Sequence, residues 1–469
     1  MKYSNNKVSD MKIAYIGGGS RGWAWTFMTD LAREAELSGT VRLYDLDTDA
    51  AKNNEIIGNA LSEHQDTAGK WKYVTKTSLK EALEGADFIV ISILPGTFEE
   101  MQSDVHLPER LGIYQSVGDT AGPGGIIRAL RTIPMFVEIG EAVKAYAPDA
   151  WVINYTNPMS LCVKTLYHVF PQIKAFGCCH EVFGTQNVLK KIAEDSLGLT
   201  DIKRDDIKVN VLGINHFTWF DYASCKGIDL MPVYRDYVKK HYDNGLEEKE
   251  RNWANSTFDC AHRVKFDLFQ EYGLIAAAGD RHLAEFMPGE RYLKDPETVE
   301  FWKFGLTTVD WRKEDLKKRL ERSKKIAAGE EQIELKASGE EGILLIKALC
   351  GLTTVVSNVN IPNTCRQIKN LPKDALVETN ALFERDAIRP VMAGELPEKV
   401  RALVMPHVKN HDRVLKAALT CDKYLVVKAF KNDPLVKKRA SNKEIEKLAE
   451  DMIHNTMKYL PKEWLKETI

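Results

Sequence analysis

Lys12-Ile13-Ala14-Tyr15-Ile16-Gly17-Gly18-Gly19-Ser20-Arg21-Gly22 is the stretch that decides the fold. Its opening residues form a short apolar run that reads as a buried strand. The glycines then turn the chain into a helical pattern that starts near Trp23. Gly17, Gly19 and Gly22 are spaced G-x-G-x-x-G. The first glycine permits a tight turn, the second lets a pyrophosphate approach the backbone, and the third lets helix and strand pack closely. The helix N-terminus faces the phosphates with unpaired N–H groups and the positive end of its dipole. Alone, this motif is a weak signal. Here it follows a strand and opens a helix, and Asp45 lies about 23 residues beyond Gly22, at the end of the second predicted strand. A carboxylate there holds ribose hydroxyls, which favours NAD over NADP. Asp47 is a second candidate, and Arg42 is nearby. The candidate cofactor-binding set is Gly17, Gly19, Ser20, Arg21, Gly22 and Asp45.

Outward from this stretch, the first half alternates short apolar runs with amphipathic segments. Strands are predicted at 12–16, 41–44, 88–93, 151–154 and 175–178. Helices are predicted at 23–34, 50–63, 79–84, 127–146 and 160–169. Repeated βα units imply a parallel sheet with right-handed crossovers. The fold class expected is α/β: an N-terminal Rossmann-like doubly wound sheet followed by a mixed α+β catalytic domain. The boundary is placed near residue 195, giving 1–195 and 196–469. The second half is less regular, with two strands near 208–213 and 353–358. Residues 312–334 are helical by composition, and the charged run 243–252 reads as a solvated segment.

With 469 residues, the chain is too long for one ordinary core. Its net charge of −2 gives no electrostatic reason to expect a nucleic-acid or membrane partner. The polar first ten residues do not read as a signal peptide, and no window reaches the roughly 18 apolar residues of a membrane span. Eight scattered cysteines without a CxxC pair read as free thiols in a reducing compartment, so a cytoplasmic location is expected.

Several further motifs follow in order. They are Gly118-Asp-Thr-Ala-Gly-Pro-Gly-Gly125, Arg128-Ala-Leu-Arg131, Asn154-Tyr-Thr-Asn157-Pro158-Met159, Cys178-Cys179-His180-Glu181-Val182, Gly213-Ile-Asn215-His216, Gly279-Asp280-Arg281-His282 and Asn360-Ile-Pro-Asn363. In that order and spacing they resemble glycoside hydrolase family 4, from Met11 to about residue 420. Cys179-His-Glu-Val182 resembles the α-galacturonidase branch of that family. The sugar-phosphate branches carry an arginine where this chain has Met101. The loop here holds Glu99, Glu100 and Asp104, acids expected to repel a phosphate. Cys365 stands where related chains often have glycine.

The resemblance implies a glycosidase that does not use two carboxylates. NAD takes hydride from the sugar C3, a base removes the acidified C2 proton, and the C1 leaving group is eliminated. Water then adds, and the ketone is reduced again. A divalent metal stabilises charge at C2 and C3. The implied ligands are Cys179 and His216, and the usual metal is Mn2+. A lone thiolate suits Zn2+ or Fe2+ at least as well. Each residue also has a plainer reading, a buried thiol for Cys179 and an imidazole bonded to a carbonyl for His216.

His180 is a candidate general acid, because histidine can donate near neutral pH. It shares a pocket with Cys179 only if the strand has already ended. Asp280 is the candidate C2 base, with helix capping as its alternative and Tyr272 as the second candidate. Asn157 is expected on the sugar hydroxyls. Arg281, His282 and Arg128 are candidates for a uronic acid carboxylate, which a bidentate arginine matches well. The expected partner is a small glycoside, and the resemblance implies a homo-oligomer. Alternatives are a family 4 enzyme for other α-glycosides (glucuronide, galactoside or glucoside), a 2-hydroxyacid dehydrogenase and a non-catalytic NAD-binding protein.

Overall fold

Six short apolar runs form parallel strands in the computed structural model, which describes residues 1–247, 253 and 256–465. They are Lys7–Ile16, Leu37–Tyr44, Trp71–Lys76, Phe88–Ile91, Trp151–Asn154 and Lys174–Gly177. Numbered along the chain, they lie in the order 3-2-1-4-5-6. This is the dinucleotide-binding arrangement, in which ligands sit at the carboxyl edge where the order reverses. Residues such as Ile13, Val41, Val90 and Ile153 are buried under one face of the sheet, and Ala14, Ile89 and Val152 under the other. Helices on both faces therefore make the strands apolar runs rather than alternating ones.

The edge strand Trp71–Lys76 was not expected. Its signal is a short alternation, with Trp71 and Tyr73 buried and Lys72 exposed. At the other edge the sheet does not stop. Three antiparallel strands from the second half, Val355–Pro362, Leu376–Glu384 and Ala387–Pro390, continue it. The junction is the pairing of Asn360 with Gly177. A second sheet is built on the hairpin Ile207–Ile214 and Phe217–Cys225. Only its first strand was legible. The expected helix at 312–334 is Val309–Ala327, and Gly329 lies just beyond it at φ +76. Residues 248–252 of the charged run lie outside the described residues. No helix of the described residues is long and apolar enough to cross a membrane.

The helix Gly122–Tyr146 joins the two halves. Ile126, Ile127, Leu130 and Ile133 belong to the core of the second half, while Phe136, Ile139 and Val143 belong to the core beneath the parallel sheet. Its N-cap, Ala121, has no side chain to satisfy the first N–H groups. Asp433 supplies that function from elsewhere in the chain, accepting Gly122 N at 3.2 Å and Leu435 N at 2.9 Å while almost fully buried. Asp433→Ala leaves both donors unsatisfied and is expected to cost about 2–3 kcal/mol. Denaturant unfolding at neutral pH checks this; a loss below about 0.5 kcal/mol would contradict the capping role.

Candidate functional site

The glycine loop is shaped by backbone contact. A Cβ on Gly17, which sits at φ +93, would lie 1.9 Å from Ser92 O, and one on Gly19 would lie 2.7 Å from Ala50 Cβ. Gly18, not Gly22, packs against the second strand: its Cβ would meet Leu43 at 2.8 Å. The opening at Gly22 faces the Arg319 guanidinium, which donates to Arg21 O at 3.2 Å. Asn54 ties the loop down by donating to Gly18 O and Ser20 O. The helix Trp23–Arg33 has no side-chain cap, which leaves its N-terminus open to an anion.

Asp45 accepts Gly19 N at 2.8 Å and Asp47 N at 2.9 Å, within the loop. Asp47 instead caps the next helix through Ala50 N, and its carboxylate lies 3.7 Å from Arg21. Arg42 is bound to Ala82 O and Glu84 O. It is therefore not poised over the ribose position, and the acidic residue dominates there. The loop fits a dinucleotide with two free ribose hydroxyls.

Next to this loop the chain brings distant motifs together. The strand Lys174–Gly177 has ended before Cys179, so Cys179 and His180 are freed from strand alternation. Cys179 is buried, and its carbonyl accepts Asn358 Nδ2 at 3.1 Å. Asn358 also donates to Glu378, as does Asn215, the neighbour of His216. Glu378 thus braces both candidate ligand segments from behind. Burial pushes its carboxyl up to about 7. His216 sits at the two-residue tip of the hairpin, 3.3 Å from Thr120 Oγ1 and stacked on His282 at 4.1 Å. Burial pushes its imidazole down to about 3, which keeps it neutral and able to ligate. The Cys179 thiol is pushed well up by burial, with Glu378 and Glu181 adding to it. A nearby cation would reverse that.

The donor set of one thiol and one neutral imidazole fits a divalent metal. Asn157 Oδ1, Asn215 Oδ1 and His282 Nδ1 are buried without protein partners, as a ligand-binding site requires. Asn157 donates to Asp119 Oδ2 at 3.3 Å, and its carbonyl accepts Arg128 Nε at 3.1 Å. Through Nε, Arg128 helps to hold the Asn157 turn. Glu181 accepts Gly279 N at 2.6 Å, and His282 Nε2 lies 3.6 Å from its other oxygen.

Sequence reasoning missed Asp119, Glu181, Glu285 and Glu378. Asp119 and Glu181 stood inside quoted motifs without a role. Burial alone would raise the Asp119 carboxyl, but the Arg128 guanidinium and the hydrogen bond from Thr120 hold it well below the usual carboxylate range. Glu285 accepts Val117 N and Gly118 N at 2.7 and 2.8 Å, which fixes the loop that presents Asp119. Its only sequence signal is its position on the turn after Gly279-Asp-Arg-His282.

Comparison with known proteins identifies the family. The sequence pattern of family 4 glycosyl hydrolases matches residues 12–195, and that of their C-terminal domain matches residues 211–436. The chain belongs to glycosyl hydrolase family 4. An alpha-galacturonidase of Lachnoclostridium phytofermentans is 70% identical over 99% of this chain and 100% of its own length. One from Bacillus subtilis is 51% identical over 96% and 98%. The crystal structure of a candidate glucosidase, lplD, from Bacillus subtilis superposes with TM-score 0.90 at 51% identity, covering 95% of this chain and 100% of that one. A Thermotoga maritima 6-phospho-beta glucosidase, solved with manganese, NAD+ and glucose-6-phosphate, shares the fold at TM-score 0.75 and 20% identity, covering 96% of this chain and 99% of that chain.

The geometry gives several of the expected residues surroundings that the motifs did not indicate. Asp280 is completely buried, and its two oxygens accept Val264 N at 3.0 Å and Lys265 N at 3.2 Å. It caps the helix Arg263–Tyr272 rather than its own helix. Tyr272 lies against Trp219 at 5.8 Å, with Glu271 and Arg291 as its polar neighbours, and does not join the site. The acids at 99–104, expected in a loop, lie in the helix Phe98–His106 and are engaged by protein partners. Asp104 is buried in an ion pair with Arg131, Glu100 closes a capping box on Thr97, and Glu99 pairs with Lys313. Met101 packs in an apolar cluster with Val105 and Val309, so no phosphate-reading charge stands at that position.

His180 turns toward Glu340 at the outer edge of the site. Its side chain is about half exposed, with Nδ1 at 3.1 Å from Glu340 and its ring 6.0 Å from Trp23. The hydrogen bond to Glu340 raises its imidazole to about 9, so it carries a proton at neutral pH. The geometry predicts that Asp280→Asn loses about 1 kcal/mol of stability, the worth of a weakened cap, while kcat falls less than tenfold. A folded variant slowed by about 100-fold or more would instead make Asp280 a proton-transfer residue.

Proposed function

We propose that this chain is an α-galacturonidase that hydrolyses α-galacturonides with NAD and a divalent metal, Mn2+ by resemblance. The observation that carries the reading is end-to-end similarity to alpha-galacturonidases at 51–70% identity, against 28% for an alpha-galactosidase of Bacillus subtilis. The site supports it with a dinucleotide loop, a thiol–imidazole pair and buried guanidinium groups at one sheet edge. In this reading residues 1–195 carry the nucleotide, and 196–469 supply His216 and most of the substrate contacts. Cys179 then lies at the seam. Free cysteines support a cytoplasmic location, and the family resemblance supports a homo-oligomer.

Gly17, Gly19, Ser20, Arg21, Gly22 and Asp45 would hold NAD, and Cys179 and His216 the metal. When bound, these groups supply a hydride acceptor for C3 and Lewis acidity beside C2. The protein must then orient the sugar, take a proton from C2 and return one to the leaving oxygen. Asn157 and Asp119 offer a carbonyl oxygen and a fixed negative charge to sugar hydroxyls. His282 is the best-placed base: it is kept neutral by burial, its Nδ1 is unpartnered, and Glu181 stands behind Nε2 to steady the protonated ring. Asp280 is the second reading, because burial lifts its carboxyl to about 6, a value suited to a base near neutral pH. His180 is the candidate acid, protonated through Glu340.

The test is release of galacturonic acid from an α-linked galacturonide dimer, with and without NAD+ and with and without Mn2+ under reducing conditions. Release that requires both, without net NADH, is the expected result. Net NADH without cleavage would show a dehydrogenase. Cleavage of α-glucuronide, α-galactoside or 6-phosphoglucoside controls alone would remove the galacturonide.

A further inference from the structure

The reading above leaves the recognition of the uronate carboxyl unassigned, and the structure holds two arginines that nothing else uses. Arg281 is 9% exposed, and its Nε is buried without a partner. Its guanidinium stands 4.9 Å from the ring of Phe258 and makes one long contact, 3.4 Å, to Thr257 O. Arg312, in the first turn of the helix Val309–Ala327, also has a buried Nε without a partner. Among the described residues its guanidinium takes part in no hydrogen bond or ion pair, and Arg281 forms no ion pair.

The two are drawn together by one clasp. Ser116 donates its hydroxyl to Arg281 O at 2.5 Å, and its own carbonyl accepts Thr307 N at 3.0 Å. The Phe258 ring under Arg281 meets Trp311, the neighbour of Arg312, edge-on at 5.1 Å. The same Ser116 loop continues through Val117 and Gly118 to Asp119 at the sugar site.

Two guanidinium groups with buried, idle N–H groups are costly unless an anion completes them. Among the described residues no carboxylate forms an ion pair with either guanidinium, and those nearby serve other partners. Asp119 serves Thr120, Asn157 and Arg128, and Glu181 serves Gly279 and His282. Glu285 gives one oxygen to two backbone N–H groups, and burial pushes its carboxyl up to about 8. Neither guanidinium therefore has an anionic partner among the described residues. A planar carboxylate with two acceptor oxygens matches guanidinium forks.

We propose that Arg281 and Arg312 form the clamp that reads the C6 carboxylate of the bound uronide, with Phe258 as the apolar backing of Arg281. This rests on the galacturonidase reading. Arg312 lay in a stretch whose composition indicated only a solvated helix. In the fold that helix begins at the site and, seven residues later on the same face, places Arg319 on the nucleotide loop.

The experiment compares kcat/KM for a nitrophenyl α-galacturonide, its C6 methyl ester and the corresponding α-galactoside. Enzyme loaded with NAD+ and Mn2+ is used as wild type, Arg312→Met, Arg312→Lys and Arg281→Met. Both methionine variants are expected to lose at least about 100-fold on the galacturonide and little on the two uncharged substrates, with lysine recovering part of the loss. Equal losses on all three substrates, or an unchanged preference for the acid, would overturn the clamp while leaving the galacturonidase reading intact. A wild type that cleaves the galactoside and not the galacturonide would overturn both.

Discussion

Two hydrophobic cores share one helix, and that sharing sets the geometry of the site. The first turns of Gly122–Tyr146 are packed in the core of the second half, and its later turns lie under the parallel sheet. Neither half can bury its apolar surface without this element. Its N-terminus is consequently fixed at the sheet edge, where Asp119 and Thr120 precede it and Asp433 caps it. Arg131 in the same helix is fully buried against Asp104 and donates to Pro95 O. An unpaired charge there would cost several kcal/mol, so the loop after the fourth parallel strand is held in place too. The continuation of the sheet through Asn360 and Gly177 adds a second tie and brings Glu378 behind Cys179.

Within this frame the charges have a consistent logic. One side of the site concentrates acceptors: a buried thiol, a neutral imidazole, and Glu378 and Glu181 behind them. Such a group is stabilised by a cation. The other side concentrates donors, Arg281 and Arg312, beside Glu285, which accepts two backbone N–H groups. That side is stabilised by an anion. A sugar acid oriented by a metal at its ring hydroxyls and by arginines at its carboxyl satisfies both at once. Orientation of this kind is where most of the protein's catalytic contribution would arise, since the bound cofactor carries the redox chemistry.

The sequence made the nucleotide half legible because its signals are local. A strand, a glycine turn, a helix start and one carboxylate sit within about 34 residues of each other. Cys179, His216, Asn157 and His282 were found through motifs, and the fold does bring them together. What stayed hidden depends on pairing between distant segments. Glu378 has no motif of its own and matters through its register opposite Asn360. Arg312 looked like one charge among many on a solvated helix. Asp280 was visible, but which helix its carboxylate caps is a tertiary fact. The acids at 99–104 show the opposite error: net charge in the sequence suggested a repulsive field that capping and ion pairing remove.

The account stands on a proton leaving C2 of the sugar, taken by a protein base beside the metal residues and the nucleotide loop. The most direct measurement is mass and NMR analysis of galacturonic acid released in heavy water. Deuterium at C2 of the product, in proportion to turnover, is the predicted result. Product carrying only protium at C2 would contradict it and return the chain to direct displacement at C1.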